Sequence, residues 1–191
     1  MNRCSWAGSN KLMIEYHDKE WGVPLHDDVN LFEFLILEGA QAGLTWQIIL
    51  NKRENYRKAF HNFNPGKIAK YGEQDIQRLL NNSGIIRNRL KIESAIINAK
   101  KFLEIKQDFG TFDKYIWQFV NYKPIKNKFK SLSELPAYTE ESDAMSEELK
   151  KRGFKFVGST ICYAFMQAIG MVNDHFVNCF RYNKIKWSKK K

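Results

Sequence analysis

The chain has 191 residues, 31 of them Lys or Arg and 21 Asp or Glu, giving a net charge of +10 at neutral pH with 43% hydrophobic and 14% aromatic residues. A composition this apolar excludes disorder and supplies a sizeable core, in one domain or two small lobes. Five Trp, eight Tyr and fourteen Phe in a basic chain suit base stacking beside phosphate attraction, although charge and aromatics alone do not identify nucleic acid as the partner.

Taken in chain order, Met1-Asn2-Arg3-Cys4-Ser5-Trp6 lacks the apolar stretch of a secretory signal, and an intracellular location is expected. Apolar residues recur at helical rather than strand spacing, so an all-α fold is expected. Asp27 or Asp28 caps a helix through Leu31, Phe34, Leu35 and Glu38, and Thr45 caps the next, through Ile49, Arg53, Tyr56 and Phe60. This longest apolar window is broken by charges and by Gly43, which predicts a buried helix pair rather than a membrane span. Asn64-Pro65 opens a short helix, and further helices are predicted over Glu73–Asn81, Asn88–Ile105, Phe112–Val120, Ser142–Arg152 and Thr160–Ile169. Gly153 and Gly170 supply the last two stops. The stretch Asn121 to Ala137, with Lys123, Lys126, Lys128, Lys130 and two prolines, reads as an exposed connector able to touch phosphate. From Arg181 to Lys191 six residues are basic and none acidic, which reads as a flexible, solvated tail with weak affinity for DNA at most.

Three cysteines, an odd number in an expected reducing compartment, argue against disulfides. Cys162 lies among Ile161, Phe165 and Met166 and reads as a core thiol. Cys4, His17, His175 and Cys179 form a Cys2His2 set, the last two at the i, i+4 spacing that predicts a shared helix face. Four such ligands suit a structural zinc ion tying the two chain ends together, while buried thiols and satisfied imidazoles account for the same spacing.

Glu38 falls on the apolar stripe of its helix, whereas Glu33, about 140° around the axis, is predicted to face solvent. A carboxylate on a buried face needs a structural partner or a site. Leu79-Leu80-Asn81-Asn82-Ser83-Gly84-Ile85-Ile86-Arg87-Asn88-Arg89 joins two predicted helices through a small-residue turn followed by basic side chains. Alone, it reads either as an ordinary αα-corner or as a helix-hairpin-helix presenting backbone N–H groups to DNA phosphates.

Longer blocks carry a resemblance over nearly the whole chain: Arg3-Cys4-x-Trp6, Tyr16-His17-Asp18-x-Glu20-Trp21-Gly22-Val23-Pro24, Glu38-Gly39-x-Gln41-Ala42-Gly43-Leu44-x-Trp46, Lys52-Arg53-Glu54-Asn55-Tyr56, Gly84-Ile85-Ile86-Arg87, Lys151-Arg152-Gly153-Phe154-Lys155-Phe156-Val157-Gly158 and Asn173-Asp174-His175. In this order they resemble the 3-methyladenine DNA glycosylase I family of the helix-hairpin-helix superfamily. The resemblance implies a single glycosylase unit over 1–191, with terminal regions about 1–25 and 170–182 tied by one structural zinc, a helix-hairpin-helix at about 73–105 and a basic flexible tail over 183–191. It assigns Cys4, His17, His175 and Cys179 to the metal, Glu38 to the catalytic pocket carboxylate, and Tyr16, Trp46, Trp6 and Trp21 to the base-binding walls. Gln41, Gly43 and Leu44 match the loop that fills the gap left by an extruded base, and Gly84, Ile85, Ile86 and Arg87 match the DNA-binding hairpin. Here the hairpin departs from the superfamily's usual two-glycine form, and the family lacks the superfamily's usual catalytic aspartate.

The resemblance implies a monomeric, cytoplasmic bacterial enzyme, associated with the nucleoid through DNA. It acts on double-stranded DNA containing 3-methyladenine, hydrolysing the N-glycosidic bond to an abasic site without strand cleavage. The runner-up is a non-catalytic, zinc-stabilised protein that binds damaged or distorted DNA. A third reading makes the metal a hydrolytic centre, but four protein ligands leave no open position for water.

Overall fold

The computed structural model describes residues 1–185. Among them the chain is mostly helical: α1 Lys11–Lys19, α2 Asp28–Gln41, α3 Trp46–Ala59, α4 Pro65–Ile68, α5 Glu73–Leu80, α6 Arg89–Phe109, α7 Phe112–Trp117, α8 Glu140–Lys151 and α9 Ser159–Ala168. The caps explain most boundaries. Side chains of Asn10, Asp27, Asn64, Asn88, Thr111 and Thr139 each accept backbone N–H groups in the first turn that follows. Thr45 sits at the N-cap of α3 without a side-chain bond. Helix α6 runs a turn beyond the predicted Ile105, to the positive-φ stop at Gly110. Helix α1, between Asn10 and Glu20, has no counterpart in the periodicity reading.

Helix α2 is the axis of the molecule. It packs against α3, α6, α7 and α9, and every residue from Leu31 to Ala40 is buried. Its surroundings on all sides explain why a helix predicted to have one wet face has none over this stretch. The predicted break falls at residues 42–45, where Gly43 takes φ 76°, a left-handed value that costs glycine little.

Helix α9 ends in a hydrogen-bonded turn in which Met171 N donates to Met166 O at 2.9 Å and Gly170 N to Gln167 O at 3.3 Å. Glycine is required at 170 for two reasons. Its φ is 73°, and a Cβ there would lie 2.3 Å from the Val23 carbonyl carbon. The close approach lets Leu25 N donate to Ile169 O and Gly22 N to Gln167 O, stitching the N-terminal region onto the end of α9.

The termini meet on this side. Phe180 N donates to Asn2 O, and Asn2 Nδ2 donates to Asn178 O. Two short strands, β1 Ile125–Lys126 and β2 Val172–Asn173, pair in parallel with Ile125 beside Val172. The stretch 121–137 has no buried residue, as an exposed connector should, and the pairing ties its first half to the C-terminal region, where Val177 N donates to Phe129 O. A correction concerns His175 and Cys179. They lie in a turn after β2, not on a helix, with Cys179 N donating to Phe176 O. The predicted flexible tail begins inside a turn, since Lys184 N donates to Arg181 O, and its remainder, 186–191, lies outside the described residues.

Candidate active site and metal centre

The segment before α1, together with α1, α2, α3 and α9, converges on a cleft of about 200 Å³. Six residues singled out by the sequence line it: Trp6, Tyr16, Trp21, Glu38, Gln41 and Trp46. Glu38 is 4% exposed, delivered by the last turn of α2. Tyr16 comes from α1 and Trp46 from the first position of α3, with ring centroids 5.2 Å apart. Trp6 packs edge-on to Trp21 at 4.7 Å, completing an aromatic basin around one carboxylate.

The electrostatics of that carboxylate are unusual. Burial pushes the Glu38 carboxyl up to about 8, with no charge or hydrogen bond opposing it. Burial also raises the Tyr16 phenol, helped by Glu38 and Glu20, so the phenol stays protonated. The indole Nε1 atoms of Trp6 and Trp46 are buried without a partner among the described residues. Glu33 overturns its predicted exposure: it is 4% exposed and accepts from Arg53 Nε at 2.6 Å and Arg57 Nη2 at 2.8 Å. Arg53 also reaches Glu20 Oε2 at 2.6 Å.

Sequence reasoning missed part of the wall. Met13 of α1, Ala164 and Gln167 of α9, and Leu132 and Leu135 of the segment after β1 also line the cleft. The Leu132/Leu135 spacing was a legible apolar pair, but its place over the pocket depends on long-range contacts such as the β1–β2 pairing and the Val177–Phe129 bond just before it. Gly43 and Leu44 stand beside the cleft on the exposed turn after α2. Lys91 Nζ of α6 holds this turn, donating to Ala40 O at 2.8 Å and Ala42 O at 2.6 Å.

Gly84, Ile85, Ile86 and Arg87 form the connection between α5 and α6. Ile85 is buried, Ile86 N donates to Tyr56 Oη at 3.2 Å, and Arg87 is exposed. A Cβ at Gly84 would lie 2.9 Å from Asn82 Oδ1 and 3.0 Å from Asn55 Cβ, so glycine allows the connection to seat on α3.

Behind the aromatic basin, Cys4, His17, His175 and Cys179 are all buried, and their ligand atoms lie within 4.8 Å of one another. Cys4 Sγ is 3.6 Å from His175 Nδ1, while Cys179 Sγ is 3.4 Å from His17 Nε2 and 3.6 Å from His175 Nδ1. The edges of a tetrahedron with zinc–sulfur and zinc–nitrogen bonds of ordinary length are about 3.3–3.8 Å, so the donor set fits a closed four-ligand site. The opposite ring nitrogens are taken up as such a site needs: His17 Nδ1 pairs with Asp18 Oδ1 at 2.8 Å and His175 Nε2 with Trp21 O at 3.0 Å. Arg3 clamps Asp18 in turn. Phe176 N and Arg181 N donate to the Cys4 and Cys179 sulfurs. Trp6 packs on His17 at 5.2 Å and Trp21 on His175 at 4.7 Å, so two pocket walls rest on the cluster. Cys162 lies elsewhere, buried with Sγ donating to Val157 O.

The methyladenine glycosylase family model matches residues 6–182. DNA-3-methyladenine glycosylase 1 of Escherichia coli is 53% identical over 182 residues, 95% of this chain and 97% of that protein. A crystal structure of 3-methyladenine DNA glycosylase I superposes with a TM-score of 0.92 at 52% identity, covering 94% of this chain and 98% of that one. The Staphylococcus aureus 3-methyladenine DNA glycosylase I, described for its structural basis of 3-methyladenine recognition, superposes with a TM-score of 0.92 at 35% identity over 99% of each chain.

Proposed function

Because this chain belongs to the methyladenine glycosylase family, we propose that the cleft over Glu38 receives 3-methyladenine extruded from alkylated double-stranded DNA. There the enzyme hydrolyses its N-glycosidic bond. The observation that carries this reading is the buried, unpaired Glu38 carboxyl among Tyr16, Trp46, Trp6 and Trp21. A base must leave the duplex to be cut from its sugar, which costs a few kcal/mol and less for a damaged base. Methylation at N3 makes the base a cation, so no acid is needed to turn it into a leaving group.

The aromatic walls attract that cation through their π faces. As the positive charge arrives, it favours the ionised form of Glu38, and the pair forms a charge-assisted contact that neutral adenine cannot reproduce. The C1′–N9 electron pair then passes to the base and neutralises it. Water adds at C1′ and releases a proton to solvent, leaving an abasic site. No lysine is assigned as a nucleophile, so the strand stays intact.

Placement supports the remaining roles in this reading. Gln41 at the end of α2, with Gly43 and Leu44 on the exposed turn beside the cleft, occupies the gap left by the base. Residues 84–87 and the start of α6 act as the helix-hairpin-helix, offering backbone N–H groups to phosphate. We read the Cys4, His17, His175 and Cys179 cluster as a structural zinc site. Its ion joins the two ends of the chain and holds Trp6 and Trp21 in place without entering the reaction. The chain works as a monomeric unit on DNA in the bacterial cytoplasm.

Two measurements test this function. Alkylated DNA incubated with the protein releases free 3-methyladenine and keeps its 7-methylguanine, with strand breaks appearing only after alkali or heat. If no base is released while abasic DNA is bound tightly, the non-catalytic reading replaces this one. Protein purified without added zinc carries about one zinc per chain. A cooperatively folded, metal-free protein would refute the structural ion.

A further inference from the structure

We infer that Gln167 is a specificity-determining residue of this pocket, its amide oxygen accepting from the exocyclic amine of methylated adenine, and that Asp174 is the positioning residue that fixes the amide's direction. The inference rests on the reading of the cleft as the base pocket. Asp174 is 1% exposed. Its Oδ2 accepts from Gln167 Nε2 at 2.8 Å and Tyr163 Oη at 2.6 Å, and its Oδ1 accepts from Asn127 Nδ2 at 2.7 Å.

The NH2 end of the Gln167 amide meets the Asp174 carboxyl, whose oxygens also take the Tyr163 hydroxyl and the Asn127 amide N–H. Oε1 is therefore the polar atom that Gln167 has left for the cleft it lines. The main chain is anchored as well, since Gly22 N donates to Gln167 O at 3.0 Å. At its six-position adenine carries an N–H donor and guanine a carbonyl acceptor. A fixed carbonyl oxygen pairs with the first and opposes the second, a distinction that charge cannot make because both N3-methylated bases are cationic in DNA. Glu38 and the aromatic walls select for the cation, and Gln167 selects which purine carries it.

Fluorescence titration of the intact protein with free 3-methyladenine and with 3-methylpurine, which lacks the exocyclic amine, tests the assignment. Gln167→Leu removes the acceptor at similar volume. It should weaken 3-methyladenine binding about tenfold, the worth of one buried hydrogen bond, and leave 3-methylpurine binding at the parental value. Asp174→Asn offers a donor as well as an acceptor and frees the amide to turn. It should narrow the 3-methyladenine to 3-methylguanine excision ratio on alkylated DNA by about tenfold. Equal losses on both ligands in Gln167→Leu would make the side chain a packing element, and no loss on either would remove it from recognition. Both outcomes overturn the inference. If Asp174→Asn fails to fold, the Gln167→Leu ligand pair decides alone. A parent protein that binds neither base, or excises nothing, fails earlier and overturns the reading of the cleft itself.

Discussion

Helix α2 carries two carboxylates five residues apart, each 4% exposed, at Glu33 and Glu38. At one end Glu33 is met by Arg53 and Arg57 and behaves as a structural ion pair. At the other, Glu38 faces a cleft, and burial alone sets its proton affinity. The same residue type on the same helix at the same depth thus does opposite work. What separates them is the neighbour: α3 brings two guanidinium groups to the first and an indole to the second. A buried carboxylate that the protein pairs contributes to the fold, whereas a carboxyl left unpaired holds its proton until a cationic ligand favours the ionised form.

The sharpest test exchanges carboxyl for amide at each end. Glu38→Gln should lower the rate of 3-methyladenine release by about 100-fold or more, the usual cost of removing a preorganised electrostatic contact, with zinc content and the helical circular-dichroism spectrum unchanged. Parental release would make Glu38 structural and erase the contrast. Glu33→Gln should do the reverse, lowering unfolding stability by about 3 kcal/mol in urea titration because it leaves Arg53 and Arg57 opposite a neutral group. The lower end of the range for a broken buried pair applies, since the Arg57 side chain is 33% exposed. Its single-turnover excision rate should stay within about threefold of the parent's, because neither arginine lines the cleft.

Trp46→Ala should weaken capture of the base by about 1–3 kcal/mol if the indole supplies a stacking face, read as a rise in KM for alkylated DNA. The last test is a pH effect on stability. The folded-state pKa of Glu38, raised to about 8 from an ordinary 4.5, means that the folded protein holds its proton where the unfolded chain has lost it. Stability from this group is complete below pH 4.5 and falls as pH rises toward 8. The melting temperature of Glu38→Gln should therefore match the parent's near pH 4 and rise progressively above it as pH increases toward 8.5. A constant difference across that range would show that the carboxyl is not buried unpaired.

Both ends of α2 were partly legible before folding. Asp27 as cap, the 31/34/35/38 stripe and Gly43 as break all appear in the helix, because caps and periodicity are local and follow from backbone hydrogen bonds. Glu33 was misjudged by the same wheel that placed Glu38 correctly: angular position says which face a residue is on, not whether that face meets water. His175 and Cys179 show the converse. Their ligand atoms do meet, but in a turn and not through helical i, i+4 geometry. The cluster also needs Cys4 and His17, which are more than 150 residues away along the chain.

By itself, then, the sequence determined most of the helices, though not α1 or the far end of α6, and the chemical inventory: four metal-type ligands, one carboxylate on an apolar stripe, a set of aromatics, and blocks specific enough to mark the family. Tertiary structure alone decided which carboxylate would be neutralised and which left open, because only packing brings Arg53 and Arg57 to Glu33. It also carried Leu132, Leu135 and Gln167 to the pocket wall, through a two-residue strand pairing and the close approach of Gly170 to Val23. The physical reason is range. Caps, turns and periodicity act within about four residues of the chain, whereas desolvation and charge pairing depend on whatever the fold brings within a few ångströms.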